Sequence, residues 1–122
     1  DVTGNSTHTD PNGGLGYGVG AGGTVTQSTS KSTAVTLNKP CGQITMNNAA
    51  MTAGASVTFN LNNSLLATSD GLVVCPVNIG NYRVEVAAIS SGVAQIRVTN
   101  ITAGSLSEAL IINFAIIKGA TS

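Results

Sequence analysis

The sequence predicts an all-β protein: an antiparallel β-sandwich, jelly-roll-like, of seven or eight strands, preceded by an irregular Gly-rich N-terminal arm. Three observations lead there. Strand-like runs recur every 10 to 15 residues. Val, Ile and Thr fill those runs, while Gly, Pro, Asn and Ser collect between them, as they do between strands. The only stretches of helical composition, Asn47 to Thr52 and Ser64 to Ser69, are short and Gly-bounded, so they read as loops or single turns.

Residues 1–23 form the arm, with Asp10-Pro11-Asn12-Gly13-Gly14 as a turn, and residues 24–122 form the sandwich domain. Thr24-Val25-Thr26 opens the first strand. Thr33 to Asn38 alternates until Lys39-Pro40-Cys41-Gly42 breaks it, and Gln43 to Met46 resumes with Ile44 and Met46 on one face. Ser56 to Leu61 is the clearest strand, with Val57, Phe59 and Leu61 inward and Ser56, Thr58 and Asn60 outward. Gly71 to Cys75 is a short apolar run ended by Pro76. Tyr82 to Val86 and Val93 to Val98 form a hairpin around Ser90-Ser91-Gly92, which sets Arg83, Glu85, Gln95 and Arg97 together on a solvated face as a cross-strand charge ladder.

The closing strand differs from the rest. It places Leu110, Ile112, Phe114 and Ile116 on one face and Ala109, Ile111, Ala115 and Ile117 on the other. A strand apolar on both faces must be covered on both, and a neighbouring subunit can supply the second cover. The expected oligomer contact therefore includes Leu110, Ile111, Ile112, Phe114, Ile116 and Ile117, with Tyr17 and Val19 as contacts from the arm.

Composition narrows function. A chain of 122 residues holds one core and is too short for two. Only 8% of residues are charged and the net charge is zero, whereas a soluble domain carries about a quarter; surface that would be polar in a monomer is expected to be buried against other chains. Without a basic cluster or a set of exposed aromatics, no nucleic-acid partner is expected. No membrane insertion is expected either: the longest apolar run, Ala109 to Ile117, is interrupted by Asn113 and falls short of the roughly 20 residues that span a bilayer. The start carries no signal-peptide pattern, and beginning at Asp1 it reads as a piece of a longer or processed chain.

Gly18-x-Gly20-x-x-Gly23 matches the spacing of a dinucleotide-binding turn, which must follow a buried strand and open a helix. Here turn formers precede it and β-branched residues follow, so the glycines read as an extended approach to the first strand and no cofactor is expected. Cys41 and Cys75 lack a CxxC or histidine partner; they read as buried free thiols, with a single disulfide as the alternative, and no metal site is signalled. The sequons at Asn5, Asn62 and Asn100 are about as many as chance gives in a chain this rich in Asn, Ser and Thr. The sole histidine, His8, sits in the arm as a solvated or contact residue, and the carboxylates Asp70, Glu85 and Glu108 show no spacing that makes them converge. No catalytic set is expected.

Two stretches, GYGVGAGGTVTQSTSKSTAVTLNKPCGQITM (residues 16–46) and AGSLSEALIINFAIIKG (residues 103–119), resemble a β-domain widespread in tailed bacteriophages and prophages. The likeness spans about residues 15–119. It implies a virion protein assembled in the bacterial host cytoplasm: a homotrimeric cap at the end of a tail spike or tail fibre that contacts other virion proteins and aids host attachment. The alternative it implies is a short capsid-associated decoration or head-fibre protein. A second alternative is a glycan-binding module, using the loops Asn60 to Ser69 and Pro76 to Asn81 with Tyr17 or Tyr82 as the aromatic platform. The resemblance carries over no catalytic residue, and residues 1–14 lie outside it. In a virion assembled in the cytoplasm, Cys41 and Cys75 would stay reduced.

Overall fold

The computed structural model describes residues 11–77 and 79–121. His8, Asn5 and the first ten residues of the expected arm lie outside them. Among the described residues the chain is all-β, with eight strands: β1 (Gly22–Thr26), β2 (Val35–Thr36), β3 (Cys41–Thr45), β4 (Ser56–Asn62), β5 (Gly71–Val77), β6 (Tyr82–Ser90), β7 (Val93–Asn100) and β8 (Ile111–Ile117). They form two four-stranded sheets, sheet A in the order β1-β3-β8-β5 and sheet B in the order β2-β4-β7-β6.

The sheets are mixed rather than purely antiparallel, which corrects the expectation. β1 pairs parallel with β3, and β2 pairs parallel with β4. The cause is the winding of the first half. Between β1 and β3 the chain crosses to sheet B to make β2, and between β2 and β4 it crosses to sheet A to make β3. A parallel pair needs a crossover connection, and here a strand of the opposite sheet serves as the crossover. The remaining pairs are antiparallel, and β6 and β7 form the one hairpin within a sheet.

One apolar core lies between the sheets. Sheet A contributes Ile44, Ile112, Phe114 and Ile116, sheet B contributes Phe59, Leu61, Ala94, Ile96 and Val98, and Met46, Met51, Leu66 and Leu110 close the ends. At ~25 cal/mol per Å² of apolar surface, each of these larger side chains contributes about 1.5–3 kcal/mol on burial.

Several local expectations are redrawn. Cys41 and Gly42 belong to β3 instead of breaking it. β5 runs through Pro76 to Val77, tolerated because β5 is an edge strand and an edge proline forfeits no ladder bond on its open side. β6 extends to Ser90 through a bulge between Val86 and Ala88, while the second expected strand, Thr33 to Asn38, shrinks to Val35–Thr36. Asn47 to Thr52 and Ser64 to Ser69 are non-helical, as read from the sequence.

Candidate functional site

Strand register sorts the side chains of sheet A into two faces. Those facing away from the core form cross-strand rows: Gly22, Cys41, Ala115 and Val73; then Thr24, Gln43, Asn113 and Cys75; then Thr26, Thr45, Ile111 and Val77. Ile117 stands beyond the first row, opposite Gly71. None of these residues is charged. All three charged residues carried by strands, Arg83, Glu85 and Arg97, belong to sheet B. The two outer faces are therefore chemically unlike, although the strands that build them look similar in composition.

The six expected contact residues of the closing strand divide accordingly. Leu110, Ile112, Phe114 and Ile116 are buried in the chain's own core, which corrects their assignment to a contact, since a side chain already packed against its own second sheet has no surface left for another chain. Ile111 and Ile117 point outward, Ile111 half-buried and Ile117 59% exposed. The arm supplies part of the outer cover that the two-faced strand requires: the Tyr17 hydroxyl donates to the Ile116 carbonyl oxygen. Leu15, Tyr17, Val73, Ala115 and Ile117 thus line an open, largely apolar cleft of about 460 Å³, with Lys118, whose ammonium is paired with Asp70, at its edge. Val19 stands fully exposed and touches none of this.

Sequence reasoning missed Val73, Cys75 and Cys41 as members of this face. The available signal was Leu72-Val73-Val74, a second run apolar at consecutive positions like the closing strand; what was absent was any indication that the two runs are neighbours in one sheet.

Both cysteines are free, Cys41 partly buried and Cys75 exposed. They lie on opposite sides of β8, one row apart. Two strand spacings of about 4.8 Å separate them laterally, which exceeds the ~7 Å Cα separation a disulfide can bridge. The single-disulfide alternative is excluded for this fold.

The outer face of sheet B holds the expected ladder: Arg97 Nε donates to Glu85 Oε1 at 3.1 Å, both side chains 43% exposed, a surface pair worth about 0.2–1 kcal/mol. At one end of the sandwich, a group not anticipated from sequence ties three loops together. Lys31 is buried and its Nζ donates to the carbonyl oxygens of Asn47 and of Glu108, the latter at 2.6 Å. Burial lowers the Lys31 pKa, partly offset by the Glu108 carboxylate. Asn81 Nδ2 donates to Glu108 Oε1 at 3.2 Å, and burial, aided by that carboxylate, raises the Tyr82 phenol. Because Lys31 spends its donors on main-chain oxygens, the group works as a staple between loops.

The other site expectations find structural explanations. Gly20 takes a positive φ in a tight turn closed by Ala21 N donating to Gly18 O, and Gly22 and Gly23 enter β1; the helix N-terminus that a pyrophosphate needs is replaced by a strand. Tyr82 is 4% exposed and cannot serve as a sugar platform. In the Asn60 to Ser69 segment, Asn63 is buried and spends its amide on Lys39 O and Leu65 N. Asn100 is fully buried, so its sequon cannot carry a glycan in the folded chain. Among the described residues no group of three or more His, Cys, Asp or Glu side chains converges as metal ligands would, and no helix is long and apolar enough to cross a membrane. Compared with protein-family models, with curated proteins and with solved structures, the chain finds no match.

Proposed function

We propose that this chain is a non-enzymatic structural module of a tailed-bacteriophage particle, a homotrimeric β-domain that caps a tail spike or fibre and assists trimerisation or host attachment. The observation that carries the assembly part is the uncharged outer face of sheet A, where Val73 and Ile117 stand 46% and 59% exposed beside an apolar cleft. Single exposed apolar residues are ordinary; a contiguous neutral face in a chain with only 8% charged residues is what an interaction surface requires. The phage-like stretches 16–46 and 103–119 supply the particle. The non-enzymatic part is supported by the placement of the described carboxylates at separate places in the fold: Asp70 pairs with Lys118, Glu85 with Arg97, and Glu108 Oε1 accepts from Asn81.

The test has two stages. Light scattering on the full chain at micromolar concentration is expected to give three copies, and a monomer at every concentration overturns the assembly reading. A C-terminal tag on the intact virion is then located by electron microscopy; label at the tail tip supports the cap, and label on the capsid lattice replaces it with a decoration protein.

A further inference from the structure

We infer that sheet A, and not sheet B, faces the symmetry axis of the assembly, with further copies of this chain as its occupant. The inference rests on the proposed homo-oligomer and adds its orientation. Charge separates the two faces. The strand residues of the neutral face can meet their copies without desolvating an ion, whereas apposed copies of sheet B would have to take Arg83 and the Arg97–Glu85 pair out of water, at a cost of several kcal/mol for each ion left unpaired.

Closure favours the same face. Around a threefold axis one inward face meets both neighbours, so a single flat surface completes the ring and leaves no sticky face for further growth. Sheet A also has the chemistry for a defined register. Gln43 and Asn113, paired across β3 and β8, form an exposed neutral amide row between two rows that carry Ala115, Val73, Ile111 and Val77. Such amides need partners once water leaves, and the partners that symmetry provides are the same amides of the neighbouring copies.

Area brings in the arm. Four strands about 4.8 Å apart, with residues rising about 3.3 Å each, give sheet A a footprint of roughly 400 Å², about half of the ~800 Å² per partner in a standard stable interface. Leu15 is 93% exposed next to the face, and Val19 is fully exposed. Only Tyr17 between them is anchored. The arm thus completes the contact by laying Leu15 and Val19 against a neighbour at the rim of the cleft.

Cys75 is a native reporter of this face, exposed in the separate chain and set in the amide row. The full chain is reacted with a maleimide over a range of protein concentrations, the modified peptide is identified by mass spectrometry, and the assembly state is followed by light scattering. Cys75 labelling is expected to slow by at least roughly tenfold as the protein assembles, since only dissociated copies expose it. Val73→Asp and, independently, Ile117→Asp are expected to stay folded, remain monomeric and label rapidly throughout, while Arg97→Gln on sheet B assembles as before. An assembled protein whose Cys75 labels at the monomer rate overturns the inference and leaves the oligomer standing. A chain that is monomeric at every concentration removes the oligomer itself, and the inference with it.

Discussion

Ile116 and Ile117 are consecutive residues on opposite faces of β8, the first 2% exposed in the sandwich core and the second 59% exposed on the outer face of sheet A. The same side chain therefore has two different jobs. Ile116→Ala leaves a cavity between the sheets and is expected to cost about 2–5 kcal/mol of folding stability in chemical denaturation. Ile117→Ala removes no core packing and is expected to stay within about 0.5 kcal/mol of the parent measured as a dissociated monomer. Equal losses in the two variants would contradict the assignment of faces.

Gly42 is a glycine because three neighbours occupy the place of its side chain. A Cβ there would lie 2.5 Å from the Gly23 carbonyl oxygen, 2.9 Å from Leu37 Cδ2 and 3.2 Å from Phe114 Cε2. The first of these is main chain and cannot rotate away. Gly42→Ala is thus expected to force β1 off β3 and to destabilise by about 1–3 kcal/mol or more, as overpacking does. Gly23→Ala meets only the flexible side chains of Leu37 and Lys39, at 3.1 Å and beyond, and is expected to be clearly milder. Thermal melts of the two variants side by side decide it.

The contrast between Gly42 and Ile117 also marks how far the sequence could be read. Alternation within a run is local, so Ser56 to Leu61, the β6–β7 hairpin and the two faces of β8 were legible from period alone. Pairing between distant runs is not local. Gly42 reads as a breaker in isolation, and becomes a strand residue only when Gly23 and Phe114 are known to flank it. The parallel pairs have the same origin, because strand direction depends on where the chain crosses between sheets, and loop composition does not encode that. For the candidate surface, the sequence showed that β8 has an outer apolar face; it could not show that Val73 and Cys75 share that face, nor that Tyr17 of the same chain already covers part of it.

Asn100 is legible as a sequon and acts as a hub. Its Nδ2 donates to the carbonyl oxygens of Met51, Thr52 and Gly104 at 3.0, 3.3 and 2.9 Å, while its Oδ1 accepts from Thr102 N and Thr102 Oγ1 at 2.9 and 2.7 Å. The side chain thus holds the β7–β8 connection against the β3–β4 connection. Asn100→Ala orphans several buried main-chain groups and is expected to cost about 2–4 kcal/mol. Asn100→Asp is expected to be worse at neutral pH, because a carboxylate would then face three carbonyl oxygens. The gap between the two variants should narrow in acid, where the protonated carboxyl can donate again. Chemical denaturation at neutral and acidic pH checks both the order and its change.

Asp70 carries the clearest pH dependence. Its side chain is 1% exposed; Oδ2 accepts from Lys118 Nζ at 2.6 Å and from Ala67 N at 2.8 Å, and Oδ1 accepts from Gly119 N at 3.1 Å. The Lys118 hydrogen bond foremost, then the main-chain donors, lower its pKa, with burial opposing. A carboxyl whose folded pKa lies below its unfolded value of about 4 contributes stability above that value and loses it as pH falls through the folded one. The parent is therefore expected to be stable near neutrality and to lose melting temperature progressively below about pH 4. Asp70→Asn should melt several degrees lower at pH 7, with a flatter acid limb. Lys118→Met provides the finer test. The Lys118 side chain is 62% exposed, so its loss should cost little at pH 7, and because the folded pKa of Asp70 rises towards its unfolded value without the ammonium, the acid loss should still begin near pH 4 but become shallower. An acid limb unchanged by Lys118→Met would show that the main-chain donors alone hold the carboxylate.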